Sequence, residues 1–117
     1  MRVLLVLIAV CSVASAKPAA DGAAVVVVID RSLGDLGAVA KVVGETARGL
    51  GDDRLGVVAY ARTARVVVPL QATRAQVPKL LAAIKPEDGA NVVAGLEAAF
   101  QMLKGTTTRH RRVIVVT

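Results

Sequence analysis

The sequence predicts a three-layer α/β domain, a doubly wound and mostly parallel sheet with helices on both faces and one antiparallel edge hairpin. Three observations predict it. Residues 24–29 read Ala-Val-Val-Val-Val-Ile, an unbroken apolar run rich in β-branched side chains, as in strands buried on both faces. Further strand-like runs at 55–60, 65–70 and 112–117 alternate with segments of helical apolar spacing. Only residues 61–64 separate the second and third runs, too few for a crossover helix, so those two strands pair antiparallel.

The chain has 117 residues, enough for one domain. Its start reads as a secretory signal peptide over residues 1–16, the alternative being a buried first strand or an uncleaved anchor. Arg2 is the positive end, Val3 to Val10 the apolar core, and Ala14-Ser15-Ala16 a small-x-small cleavage site. The apolar run is shorter than the roughly 20 residues a spanning helix needs. Cys11 offers a lipoprotein alternative, but Val10 before it departs from the small residue such signals carry, so cleavage after Ala16 is expected. The mature chain then has no cysteine and no disulfide, and a secreted or periplasmic location follows from the leader alone. Residues 17–22 read as a flexible leader, and residues 23–117 as the domain.

The first strand spans 23–29. Leu36, Val39, Val43, Ala47 and Leu50 then recur at helical spacing within 34–50. Gly37 and Gly44 inside that helix would permit close packing on the sheet, and Gly49 and Gly51 suit a left-handed cap. Asp52-Asp53 forms a turn before the strand at 55–60. Pro69 suits the end of an edge strand. Thr73 reads as the cap of a helix through Ile84, with Pro78 delaying or kinking its start. After the loop at 87–90, Asn91 caps a helix whose buried face carries Val92, Leu96, Ala99, Phe100 and Leu103. Residues 106–110 read as a polar turn into the last strand, at 112–117.

The net charge is +6; removing residues 1–16 takes away only Arg2 and leaves +5. The basic residues look scattered apart from Arg109-His110-Arg111-Arg112, which reads as a solvated turn. With one Phe and one Tyr, the chain lacks the aromatic platform of a nucleic-acid binder, and no nucleic-acid partner is expected.

The first strand ends in Asp30-Arg31-Ser32-Leu33-Gly34, at the carboxyl end of the sheet, where open α/β folds place ligands. Asp30 and Ser32 both offer oxygen, suited to a hard cation. An acid there can equally cap the chain that follows, with no ligand. The ordered set of this segment, the hairpin at 54–70, the loop Gly89-Ala90-Asn91 before a long helix, and the strand at 113–117 resembles the von Willebrand factor A-type domain. The resemblance covers nearly all of residues 24–117 and implies a Rossmann-like sheet bearing a metal-ion-dependent adhesion site. In the family that site takes an Asp-x-Ser-x-Ser segment, a loop threonine and a later aspartate. Here Asp30 and Ser32 match. Gly34 and Ala90 stand where the second serine and the threonine would be, and the aspartate position falls past Thr117. Two of five ligands remain, too few for the octahedral set Mg²⁺ demands, so the site is expected to be vestigial, with weak Mg²⁺ or Ca²⁺ binding at most. Asp35, Asp88 and Asn91 are the nearby oxygens that could substitute.

Catalytic constellations are absent from the sequence. Residues 30–35 lack Gly-x-Gly-x-x-Gly, Ser32 is not in Gly-x-Ser-x-Gly, and the only histidine, His110, sits among arginines. The expected role is an exported, non-enzymatic protein-interaction module with no cofactor and no membrane span after signal cleavage. Its ligand-facing loops are Arg31, Gly34, Asp35, Asp88, Ala90 and Asn91; its protein partner is unidentified. The alternative is a truncated fragment or scaffold without binding activity of its own, since the family's sheet has six strands and only four are legible here. Residues 113–116 would then form an open apolar edge, a template for self-association.

Overall fold

The computed structural model describes residues 5–10, 20–50 and 53–117. The expected cleavage site and Cys11 lie outside them, as do Gly51 and Asp52. In chain order the elements are β1 (Leu5–Val10), β2 (Ala20–Asp30), α1 (Leu36–Gly49), β3 (Arg54–Tyr60), β4 (Ala64–Val68), a 3₁₀ turn (Arg74–Gln76), α2 (Val77–Ala82), α3 (Val92–Lys104) and β5 (Thr108–Val116). The sheet order is β1-β5-β2-β3-β4. The central strand β2 runs parallel to β3 on one side and to β5 on the other, and β4 closes one edge antiparallel to β3.

Alternation along β2 builds both layers. Ala23, Val25, Val27 and Ile29 join a core with Val39, Val43 and Ala47 of α1 and Val77 and Leu81 of α2. Ala24, Val26 and Val28 face the other way, onto Ala99 and Leu103 of α3. A strand buried on both sides has no polar face to give up, which is why its run is continuous. Gly95 lets α3 approach this second face closely: a Cβ there would sit 2.9 Å from both the Tyr60 ring and Val28.

Several expectations are corrected. β2 begins at Ala20, inside the segment expected to be a flexible leader. Its start is held where Asp53 Oδ1 accepts from the Ala23 N–H at 2.8 Å. The run Arg109–Arg112 lies within β5, not in a turn, because the ladder to β2 already begins at Thr108. β4 stops at Val68, as Pro69 has no N–H to offer. Pro78 sits in the first turn of α2, where a missing N–H costs nothing, and that helix starts late and ends at Ala82. α1 starts at Leu36 and its C-cap, Leu50, has right-handed helical backbone; Gly51, where a left-handed cap would sit, lies outside the described residues. Gly44 has nothing near a virtual Cβ, and Gly37 only its neighbour Asp35, so neither brings the helix closer to the sheet. Phe100 is 39 % exposed, off the buried face of α3.

The β5 edge, expected to be open, is covered. β1 pairs antiparallel along it, from Leu5 opposite Val116 to Val10 opposite Arg111. An unpaired row of N–H and C=O groups is a template for any apolar strand, and here the strand that covers it is β1.

Candidate functional site at the carboxyl ends of the strands

Asp30, Tyr60 and the end of β5 stand side by side at the carboxyl end of the sheet. Asp30 is paired with Tyr60, and Ile29 with Val116. Asp30 continues the face of β2 that packs on α3, so its carboxylate emerges beside that helix. Its Oδ1 accepts from the Ser32 N–H at 2.8 Å and from the Ser32 hydroxyl at 2.7 Å. The pair expected to face a cation therefore closes on itself as a local turn, the alternative that short polar side chains offer at strand ends.

Tyr60 was not singled out from the sequence. It is 2 % exposed, and its ring rests against Gly95. Burial raises its phenol pKa above 10.0; the nearby Asp30 charge and a hydrogen bond to that carboxylate push it the same way, while a hydrogen bond to Thr117 opposes them. The signal for Tyr60 was its place at the end of a strand parallel to β2, legible only once the register is known.

Three loops meet above these strand ends. Arg31 links the first to the second: its Nε donates to the Lys85 carbonyl at 2.9 Å, and its guanidinium pairs with Glu87 at 2.6 Å. The Glu87 N–H donates back to the Arg31 carbonyl at 3.1 Å, and the Arg31 N–H to the Tyr60 carbonyl at 2.9 Å. Asn91 links the second loop to the β3–β4 turn. Its N–H donates to the Ala61 carbonyl at 2.8 Å and its Nδ2 to the Arg62 carbonyl at 3.2 Å. Gly89, at φ +144°, lets this loop lie against Ala61 and Arg62, where any Cβ would collide with their backbone.

Two of the three oxygens offered as substitute ligands, those of Asp35 and Asn91, are in use as caps. Asp35 Oδ1 accepts from the Ala38 N–H at 3.0 Å, starting α1, and Asn91 Oδ1 from the Ala94 N–H at 3.1 Å, starting α3. Asp88 and Ala90 are exposed. Gly34 is open, with nothing within 4 Å of a virtual Cβ, so a serine would fit there and only its oxygen is missing. The donor set does not fit an octahedral cation: one carboxylate and one hydroxyl, already bonded to each other, face two positions without side-chain oxygen.

The arrangement of sheet and loops has solved counterparts. The von Willebrand factor domain of the type V pili tip protein Mfa5 from Porphyromonas gingivalis superposes with a TM-score of 0.71 at 18 % identity, over 79 % of this chain and 36 % of that one. An aerotolerance-related membrane protein from Bacteroides fragilis gives 0.63 at 18 %, over 73 % and 50 %. Proximal thread matrix protein 1 from the mussel byssus, with zinc in its metal-ion-dependent adhesion site, gives 0.58 at 17 %, over 82 % and 26 %. The chain thus spans half or less of the length of these structures. No curated protein matches it. The sequence model of the von Willebrand factor type A domain matches residues 25–117, from the first strand of the doubly wound core through the last. The chain belongs to the von Willebrand factor type A domain family.

Proposed function

We propose that this domain is an exported, non-enzymatic protein-binding module that works through the three loops at the carboxyl ends of its strands, without a resident metal. One observation carries the reading: Asp30 and Ser32 bond to each other beside two positions, Gly34 and Ala90, that have no oxygen to give. The loops around them are nonetheless tied together by Arg31, Asn91 and Gly89. A surface fixed by backbone bonds can present Arg31, Gly34, Asp35, Asp88 and Ala90 to a protein without a cation to organise it. Among the described residues no helix is long and apolar enough to cross a membrane, and export rests on the leader.

Calorimetric titration with Mg²⁺ and Ca²⁺ tests the metal half of the reading. Affinity weaker than about millimolar is expected; micromolar binding abolished by Asp30→Ala would overturn it. Capture of a partner from an envelope extract, lost when Arg31 and Asp88 are both replaced by Ser, tests the loop half. Capture unchanged by those substitutions would place the contact elsewhere.

A second reading is a scaffold fragment with no binding activity of its own, favoured by the share of its structural counterparts that the chain spans. Under that reading the loops capture nothing. The β5 edge, uncovered once residues 1–16 are removed, would then be the dominant contact surface, between copies of the chain.

A further inference from the structure

The cations that look scattered in the sequence gather at one pole. α1 and α3 end where β2, β3 and β5 begin. Arg48 lies in the last turn of α1, Arg54 opens β3, Lys104 closes α3, Arg109 is the second residue of β5, and Arg112, mid-strand in β5, lies level with Leu55, the second residue of β3. All five are exposed. Arg54 and Arg111 flank Ala24 on one rung of the ladder, roughly 10 Å apart across two strand spacings. Arg111 and Arg74 stand at the same pole but bond to backbone carbonyls, Arg111 to Thr106 and Arg74 to Ala47 and Asp53. The acids nearby in sequence are Asp21, Glu45, Asp52 and Asp53; Glu45 lies one turn before Arg48 on α1, and Asp53 already accepts from Ala23.

The opposite pole, with the three loops, is balanced. Arg31, Arg62, Arg65 and Lys85 are matched there by Asp30, Asp35, Glu87 and Asp88. The excess positive charge of the mature chain is thus concentrated at the end away from the loops.

We propose that this basic pole docks the domain on a bilayer of anionic phospholipid, leaving the loops pointing away from the lipid. A broad spread of cations from four elements suits a flat, diffuse negative surface, and each adds roughly fivefold to such binding. Nucleic acid is the weaker fit: Tyr60 is buried and Phe100 lies on α3, so among the described residues the pole offers a base only the His110 imidazole to stack on. The leader also joins the domain here, since Val10 pairs with Arg111 and Ala20 with Thr108. The proposal rests on charge placement and is independent of what the loops bind.

Co-sedimentation of the full chain with phosphatidylcholine vesicles, with and without about one-third phosphatidylglycerol, tests it. Binding at least tenfold tighter to the anionic vesicles is expected, with a comparable loss at roughly 0.5 M salt, where screening is strong. Arg54→Ser/Arg109→Ser/Arg112→Ser should lose at least tenfold, and Arg48→Gln/Lys104→Gln, confined to helix ends, should lose severalfold with an unchanged melt. Arg62→Ser/Lys85→Ser at the loop pole should bind like wild type. Equal binding to neutral and anionic vesicles would assign the attachment to the apolar leader and overturn the proposal. So would full binding by both pole variants, or tighter capture by a DNA duplex than by anionic vesicles.

Discussion

Tyr60 and Asp30 share the end of one ladder, and each sets the other's chemistry. The phenol is held protonated by burial and by the neighbouring carboxylate. Its folded pKa is raised, so the stability it contributes is intact below the unfolded value near 10.0 and is lost as pH rises through the folded one. The urea midpoint of wild type should therefore fall more steeply above pH 10 than that of Tyr60→Phe, a comparison that cancels the lysines titrating in the same range. Parallel pH profiles would contradict it. Asp30→Ala removes the acceptor of three hydrogen bonds, two from Ser32 and one from the Tyr60 phenol, and should cost about 1–3 kcal/mol, while Ser32→Ala, which keeps the backbone bond, should cost less than about 1 kcal/mol; chemical denaturation reads both. Asp30 and Ser32 were legible in the sequence as a pair, because a carboxylate closing an apolar run marks a strand end. Tyr60 was not, because what matters is its neighbour in the next strand, 30 residues away.

The elements are joined by caps and by one close approach. Asp35 and Asn91 each start a helix; the sequence identified Asn91 as a cap and offered Asp35 as a ligand. Asn91→Ala should cost about 1 kcal/mol from the cap alone, and more through its loss of the Arg62 carbonyl. Gly89→Ala should cost more still, about 2 kcal/mol or above, because the new Cβ meets the Ala61–Arg62 backbone at a φ that alanine avoids. A thermal melt within a few degrees of wild type would show that the loop can move aside. The Arg31–Glu87 pair is worth little by itself, since Glu87 is half exposed. Arg31 matters by position, bridging two loops through the Lys85 carbonyl as well. Arg31→Ala should leave the melt nearly unchanged yet speed amide exchange over residues 85–91. The glycines that matter, Gly89 and Gly95, look no different in sequence from Gly37 and Gly44, whose surroundings are open. Only the packing partner separates them.

At the scale of the molecule the sheet is defined by its edges. β4 is short and ends at a proline, a protected edge. The β5 edge depends on β1, the segment that reads as a cleaved leader. Sedimentation velocity should find the chain from Lys17 onward associating at concentrations where the 117-residue chain does not. A monomeric species with a sharp, reversible melt for the shorter chain would show that β5 tolerates an open edge. Charge follows the same axis as the strands. A helix in a right-handed crossover always ends where the next strand begins, so Arg48, Lys104 and the first residues of β3 and β5 share one pole however far apart they lie in the chain.

The sequence by itself determined the fold, because buried strands and amphipathic helices announce themselves through period and side-chain shape. It also determined that Gly34 and Ala90 offer no side-chain oxygen in any conformation. The tertiary structure alone decided how the remaining groups are used: Asp30 bonded to Ser32 beside a buried Tyr60, Asn91 spent as cap and clamp, β1 laid along β5, and the cations collected at one end. Those outcomes depend on which residues become neighbours through parallel register and crossover, and neither leaves a local mark in the chain.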